Sequence, residues 1–176
     1  DACRAVLARL SDDSGLTAYL STLNQRETVV LQRLNGSHPV QVLSPPGSRR
    51  AASGTAMGRA LLSRLSEAEF ETLYGADAGQ PLPREGRDCP ATVGELARLV
   101  AQTRADHCGV AIDQAMPGIG AVAAAVRDPA TGELRGLCLS FVSFQADADR
   151  VARLRELVLQ QVGKLGRDLN DPYWLA

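Results

Sequence analysis

The sequence predicts an α/β chain of the α+β kind, with one mainly antiparallel sheet of about six strands flanked by helices. Three observations predict it. Helix-like and strand-like segments come in the order helix, three strands, helices, three strands, helix, so strands follow strands instead of alternating with helices. Two polar turns, Asn24-Gln25-Arg26 and Asp128-Pro129-Ala130-Thr131-Gly132, each join two β-rich runs as a hairpin would. The run Val122-Ala123-Ala124-Ala125-Val126 is small and apolar throughout, as suits a central strand packed closely by helices.

Each element has a local reason. Cys3, Val6, Leu7 and Leu10 fall at helical spacing between Ala2 and Leu10, and Asp12-Asp13-Ser14-Gly15 ends that helix. Leu16 to Leu23 and Thr28 to Leu34 are the hairpin strands. The turn Asn35-Gly36-Ser37-His38-Pro39 then leads to a short strand expected over Val40 to Leu43. A helix is expected from Thr55 to Arg64. The next opens at Ser66 with Glu69 three residues later, a capping box. Gly75 to Pro90 reads as a loop. A second box, Thr92 with Glu95, starts a helix carrying Val93, Leu96, Ala97, Val100 and Arg104. After the turn at Cys108-Gly109 come strands over Val110 to Asp113, Ala121 to Arg127 and Leu134 to Phe144. Asp147 to Asp168 closes the chain as an amphipathic helix with Val151, Leu154, Val158, Val162 and Leu165 on one stripe, which should pack on its own sheet.

Composition excludes several classes of function. The chain has 176 residues, enough for one domain with a sizeable core. Its net charge of -1 supplies no basic face for phosphates, and an aromatic content of 4% supplies no stacking platform for single strands. No apolar run approaches the roughly 18 residues needed to span a bilayer, and no basic-then-apolar leader is present. Cys3, Cys89, Cys108 and Cys138 lack the paired C-x-x-C spacing of a zinc site, so cytosolic thiols are the plain reading and no metal or cofactor is expected. Because a helix is already under way at Asp1, the chain reads as a fragment missing an N-terminal part.

The stretch richest in functional meaning is Pro46-Gly47-Ser48-Arg49 followed by Thr55-Ala56-Met57-Gly58-Arg59-Ala60-Leu61-Leu62. Small side chains at a helix start leave backbone N–H groups uncovered, an arrangement that suits a carboxylate or phosphate. Nothing beside it looks catalytic. Arg49 and Arg50 could offer fork-like hydrogen bonds to an acidic ligand, although adjacent loop arginines are more often solvated. Cys138 and Ser140 alternate onto one strand face. His107 and Cys108 are sequence neighbours without an Asp or Asn to orient them, which argues against a nucleophilic pair. His38, before a proline in a turn, reads as a surface residue.

Four segments resemble the effector-binding domain of IclR-family bacterial transcription regulators: Ser14-Gly15-Leu16-Thr17-Ala18-Tyr19-Leu20, Val29-Val30-Leu31-Gln32-Arg33, Gly47-Ser48-Arg49 through Leu62, and Gly109 to Asp113 with Pro117-Gly118-Ile119 and Val122 to Asp128. Together they span nearly the whole chain. The resemblance implies a GAF-like sensor fold over residues 1–176, with a winged helix-turn-helix domain upstream that is missing from this chain. It implies a small-molecule effector, either an organic acid or an aromatic metabolite. It also implies operator DNA reached only through the missing domain, a homodimer or homotetramer, no membrane partner, a cytoplasmic location and no enzymatic activity.

The resemblance also implies effector-binding positions. Thr55, Ala56 and Met57 stand at the helix start, with Met57 trimming the pocket. Cys138 and Ser140 are alternate inward positions, Ala121 follows Gly118 by three residues, and Leu43 falls near the apolar wall. Asp113 takes the family's acidic position, five residues before Gly118 where the family usually has seven. Gln114 stands where a glutamate is usual, and Ala51 and Ser53 replace a common proline and histidine. Two alternatives stand beside this reading. A free-standing GAF-like sensor would lack the upstream DNA-binding segment, and a small enzyme would need a perturbed acid, base or nucleophile in the pocket.

Overall fold

The computed structural model describes residues 2–175; Asp1 and Ala176 lie outside the described residues. Helices α1 (Ala2–Ser14), α2 (Ala56–Leu62), α3 (Glu67–Tyr74), α4 (Val93–Asp106) and α5 (Ala148–Asp168) surround strands β1 (Thr17–Asn24), β2 (Glu27–Leu34), β3 (Arg49–Ala51), β4 (Gly109–Ile112), β5 (Ile119–Arg127) and β6 (Leu134–Val142). The strands form a single antiparallel sheet in the order β3-β2-β1-β6-β5-β4. The α+β fold expected from the sequence is therefore the fold observed, with β1 and β6 as its middle pair.

Strand alternation divides the sheet into two faces. Ala18 and Leu20 of β1, Val122, Ala124 and Val126 of β5, and Leu137, Leu139 and Phe141 of β6 point to one side. There they form a core with Val6, Leu7 and Leu10 of α1 and Leu154, Val158, Val162 and Leu165 of α5. The stripe read from the α5 sequence thus packs on its own sheet. On the opposite face Tyr19, Ala111, Ala123, Ala125 and Cys138 meet Ala56, Met57, Ala60 and Leu61 of α2. A third cluster, built from Leu62, Tyr74, Val93, Leu96 and Val100, fixes α3 and α4 to the far side of α2.

The helix starts follow their caps. Ser66 accepts from the Glu69 amide at 3.2 Å while Glu69 accepts from the Ser66 amide at 2.7 Å, completing the box at α3. At α4, Thr92 accepts from the Glu95 amide at 3.2 Å, but Glu95 reaches one residue further back and accepts from the Ala91 amide at 2.7 Å.

One expected strand is corrected. Val40 to Leu43 is not a strand, and the third strand is Arg49–Ala51, paired through Thr28 with Arg50 and Glu27 with Ala51. Residues 35–48 instead form an irregular strap. It is pinned at its start by the His38 amide donating to Gly15 O at 2.8 Å and at its end by the Gly47 amide donating to Val30 O at 2.7 Å. The run Val40 to Leu43 reads like a strand, but its Gln41, Val42 and Leu43 side chains line a cavity beneath it, which periodicity cannot tell from a sheet partner. Among the described residues, no helix is long and apolar enough to cross a membrane.

Candidate functional site

Between the sheet, the start of α2 and the strap lies a cavity of about 320 Å³. Its floor follows from strand register. Tyr19, Cys138 and Ala123 form one row across β1, β6 and β5, and Thr17, Ser140 and Ala121 form the next; of these Tyr19, Cys138, Ser140 and Ala121 line the cavity. Four of those six side chains have no more than two heavy atoms, so the rows leave space that longer residues would fill. The helix supplies Thr55, Ala56 and Met57, the strap supplies Gln41, Val42, Leu43 and Ser44, and the β4–β5 connection supplies Ala115 and Met116.

Close approaches hold α2 in place. A Cβ on Gly58 would lie 2.0 Å from Ala52 O, so only glycine lets the turn Ala52–Gly54 rest on the helix. A Cβ on Gly136 would lie 2.3 Å from the Met57 sulfur, which seats Met57 on β6 at one end of the cavity. Thr55 caps the helix by accepting from the Gly58 amide at 2.8 Å. Because α2 spans only seven residues, its dipole is short and the side chains of the wall carry most of the site's polarity.

The strap is tied down by two polar side chains. Tyr19 donates its hydroxyl proton to Val42 O and accepts from the Ser44 amide at 3.0 Å. Gln41 accepts from the Thr17 hydroxyl at 2.5 Å and donates to Gly15 O at 3.3 Å. Burial raises the Tyr19 phenol above its ordinary range.

Of the sequence-predicted site residues, Leu43, Thr55, Ala56, Met57, Ala121, Cys138 and Ser140 all line this cavity. Asp113 does not. It adopts φ 56°, and its carboxylate accepts from the Ser143 hydroxyl at 2.7 Å and the Gly118 amide at 2.8 Å. Those bonds hold its pKa below the ordinary carboxylate value. Its place is to close the turn from which Met116 and Ala115 reach the cavity. Gln114 faces away from the cavity, and its side-chain oxygen accepts from buried Arg59 at 2.6 Å.

The structure also separates the two loop arginines. Arg49 points outward to Glu27 at 3.1 Å, whereas Arg50, on the face of Thr28, lines the cavity and meets Glu85 at 2.8 Å. Sequence reasoning named Arg49 and Arg50 together without telling which faces the cavity, and it missed Tyr19 and the strap residues Gln41, Val42 and Ser44. Pairing Cys138 with β1 in register would have found Tyr19; no local pattern marks the strap.

Nothing in the lining resembles nucleophilic machinery. Burial pushes the Cys138 thiol up to about 12, so it is protonated at neutral pH and donates to Leu139 O at 3.4 Å. His107 sits in the left-handed conformation that ends α4, its ring stacked 4.1 Å from Tyr173, and burial lowers its pKa. Cys108 beside it is pushed up to about 11. Among the described residues, no group of three or more His, Cys, Asp or Glu side chains is placed to hold a metal ion.

Residues 1–167 match the family described as bacterial transcriptional regulator IclR, C-terminal. The chain belongs to that family. It is 29% identical over 170 residues to the HTH-type transcriptional regulator XynR of Escherichia coli K12, covering 94% of this chain and 65% of the relative. It therefore spans slightly less than two thirds of that protein. The structure superposes on Thermotoga maritima IclR with a TM-score of 0.83 at 18% identity, covering 96% of this chain and 67% of that one. An IclR homolog from Microbacterium hydrocarbonoxydans, complexed with 4-hydroxybenzoate, gives a TM-score of 0.79 at 18% identity, covering 96% of this chain and 67% of the other. The curated relatives are transcriptional regulators and not enzymes, which agrees with the sequence expectation.

Proposed function

We propose that this chain is the effector-binding part of an HTH-type transcriptional regulator, and that a small organic acid or aromatic metabolite occupies the cavity beneath the strap. The observation that carries this reading is the cavity itself. It has about 320 Å³ of space, small apolar side chains and a few hydroxyls, and no activated nucleophile, within a family of regulators. The 4-hydroxybenzoate held by a relative of the same fold supports a ligand of this size. Thr55, Ala56, Met57, Ala121, Cys138, Ser140 and Leu43 would contact the effector, while Asp113 would shape the wall through its turn.

The relatives are HTH-type proteins longer than the region matched, which supports a DNA-binding segment preceding this one in the full protein. In this reading the full protein is a cytoplasmic homodimer or homotetramer. Its effector binds two arrangements of the assembly unequally and so changes operator affinity, because a ligand held equally by both would shift nothing. A thermal-shift screen of 4-hydroxybenzoate and a panel of organic acids and aromatic metabolites tests the first step. A melting temperature that climbs with ligand concentration is expected for at least one compound. A flat response across the panel contradicts a ligand site.

A further inference from the structure

We infer that Arg50 selects a negatively charged effector in this cavity, and that Glu85 is a built-in carboxylate which the effector must displace. Among the described residues lining the cavity, Arg50 is the only charged one. Its direction is set by the sheet: Arg50 pairs with Thr28, a buried residue of the cavity wall, while Arg49 and Ala51 alternate to the other face. Arg50 lines two spaces at once. On one side is the cavity, and on the other a narrow crevice also lined by Pro83, Glu85 and Gln114.

Within that crevice the Arg50 guanidinium donates to the Glu85 carboxylate at 2.8 Å. The side chains are 33% and 53% exposed, so solvent screens the pair and it is cheap to break. A guanidinium carries five N–H donors in a planar fork, more than one carboxylate contact uses. An anion entering the cavity meets the same guanidinium from the drier side, where a charge-assisted bond is stronger. The opposite end of the cavity offers Met57, Ala121 and Cys138, with Cys138 protonated, and so holds no second charge. The ligand that fits is a compact monoanion whose apolar body lies toward Met57. Glu85 sets a threshold against it, since the acid binds only as strongly as it outcompetes an internal carboxylate.

This inference rests on the cavity being the ligand site. The test is calorimetric titration of the chain with matched acids and neutral amides: benzoate against benzamide, 4-hydroxybenzoate against 4-hydroxybenzamide, and pyruvate against pyruvamide. Each pair is run on the wild type, Arg50→Met, Arg50→Lys, Glu85→Gln and, as a control, Arg49→Met. At least one acid is expected to bind more tightly than its amide. Arg50→Met should weaken that acid by roughly tenfold to a hundredfold, the range of hydrogen bonds to charged groups, with the amide unchanged. Arg50→Lys, which keeps the charge but not the fork, should fall between. Glu85→Gln should tighten the acid by about twofold to fivefold, the worth of an exposed ion pair, and Arg49→Met should change nothing. Amides that bind as tightly as their acids, or an acid preference that survives in Arg50→Met, overturn the selection by Arg50. Acid affinity unchanged in Glu85→Gln overturns the displacement of Glu85. If no compound binds, acid or amide, the cavity is not a ligand site and the inference falls with that reading.

Discussion

The Ser44 amide donates to the Tyr19 hydroxyl at 3.0 Å across 25 positions of sequence, and this contact fastens the strap of residues 35–48 over the cavity. The same hydroxyl donates to Val42 O, so one side chain holds the lid's backbone on both sides of Leu43. Tyr19→Phe removes both bonds and leaves the ring in its place. A loss of about 1–2 kcal/mol of stability is expected, with ligand exchange faster in both directions. Urea denaturation and stopped-flow binding measure the two effects. Unchanged exchange rates would show that the strap does not gate entry.

Arg64 and Asp171 form the most enclosed ion pair among the described residues, at 2.6 Å with side chains 7% and 1% exposed. Asp171 also accepts from the Arg127 amide at 2.8 Å, and the Arg64 guanidinium lies 3.8 Å from the Tyr173 ring centre. The pair clamps the segment after α5 onto the end of α2. Asp171→Ala should cost about 3–5 kcal/mol, because it strands a buried cation, whereas Arg64→Leu combined with Asp171→Leu should cost less than that single change. Chemical denaturation of the three chains checks this ordering.

Arg59 is 2% exposed, and none of the described ion pairs includes it. It donates to Gln114 and Val110 O, and burial pushes its pKa down to about 10. Gln114→Glu sets a carboxylate against that guanidinium with almost no change of shape. The expected outcome is a gain of about 1–2 kcal/mol by urea denaturation, in line with charge-assisted hydrogen bonds. A loss would mean that removing the new carboxylate from water outweighs the pair.

The Tyr74 hydroxyl is buried and has no hydrogen-bond partner among the described residues, while its ring lies 5.1 Å below the Arg26 guanidinium. Tyr74→Phe keeps the ring and removes the orphaned hydroxyl, so it should stabilise the fold by about 1 kcal/mol at neutral pH. Burial raises the phenol to about 12 from 10. A folded-state pKa above the unfolded one means that this contribution is complete below about 10 and is lost as pH rises toward 12. The stability gap between Tyr74→Phe and the wild type should therefore widen by roughly 2 kcal/mol over that range, at about 1.4 kcal/mol per pH unit. Parallel denaturation curves at pH 8 and pH 11 should show about 1.4 kcal/mol of this change, the part developed by pH 11.

Most of the fold is legible in local chemistry. The Asn24-Gln25-Arg26 turn, the Ser66 and Thr92 caps and the Leu154–Val158–Val162–Leu165 stripe each specify an element by themselves, and each element forms where they place it. Strand β3 is not legible, because Arg49-Arg50-Ala51 has no strand-like pattern and exists only through its pairing with β2. The cavity is half legible. Cys138 and Ser140 follow from alternation and Ala121 from the family resemblance, but Tyr19 and the direction of Arg50 depend on register between distant strands. Asp113 marks the limit of spacing as a guide. Its left-handed backbone turns the carboxylate back onto Gly118 and Ser143, which sequence spacing does not reveal.

In the proposed function, occupancy of this cavity would control DNA binding by the full-length protein. The most direct test is operator affinity measured by fluorescence anisotropy at fixed salt, with and without whichever compound raises the melting temperature, for the wild type and for Ala121→Phe. The phenyl ring of that variant projects into the cavity and fills space that the ligand needs. The expected result is a fivefold or greater change in Kd on adding ligand to the wild type, typical of coupling between two sites, and no change in Ala121→Phe. A wild-type Kd that does not move while the cavity is saturated would contradict the claim.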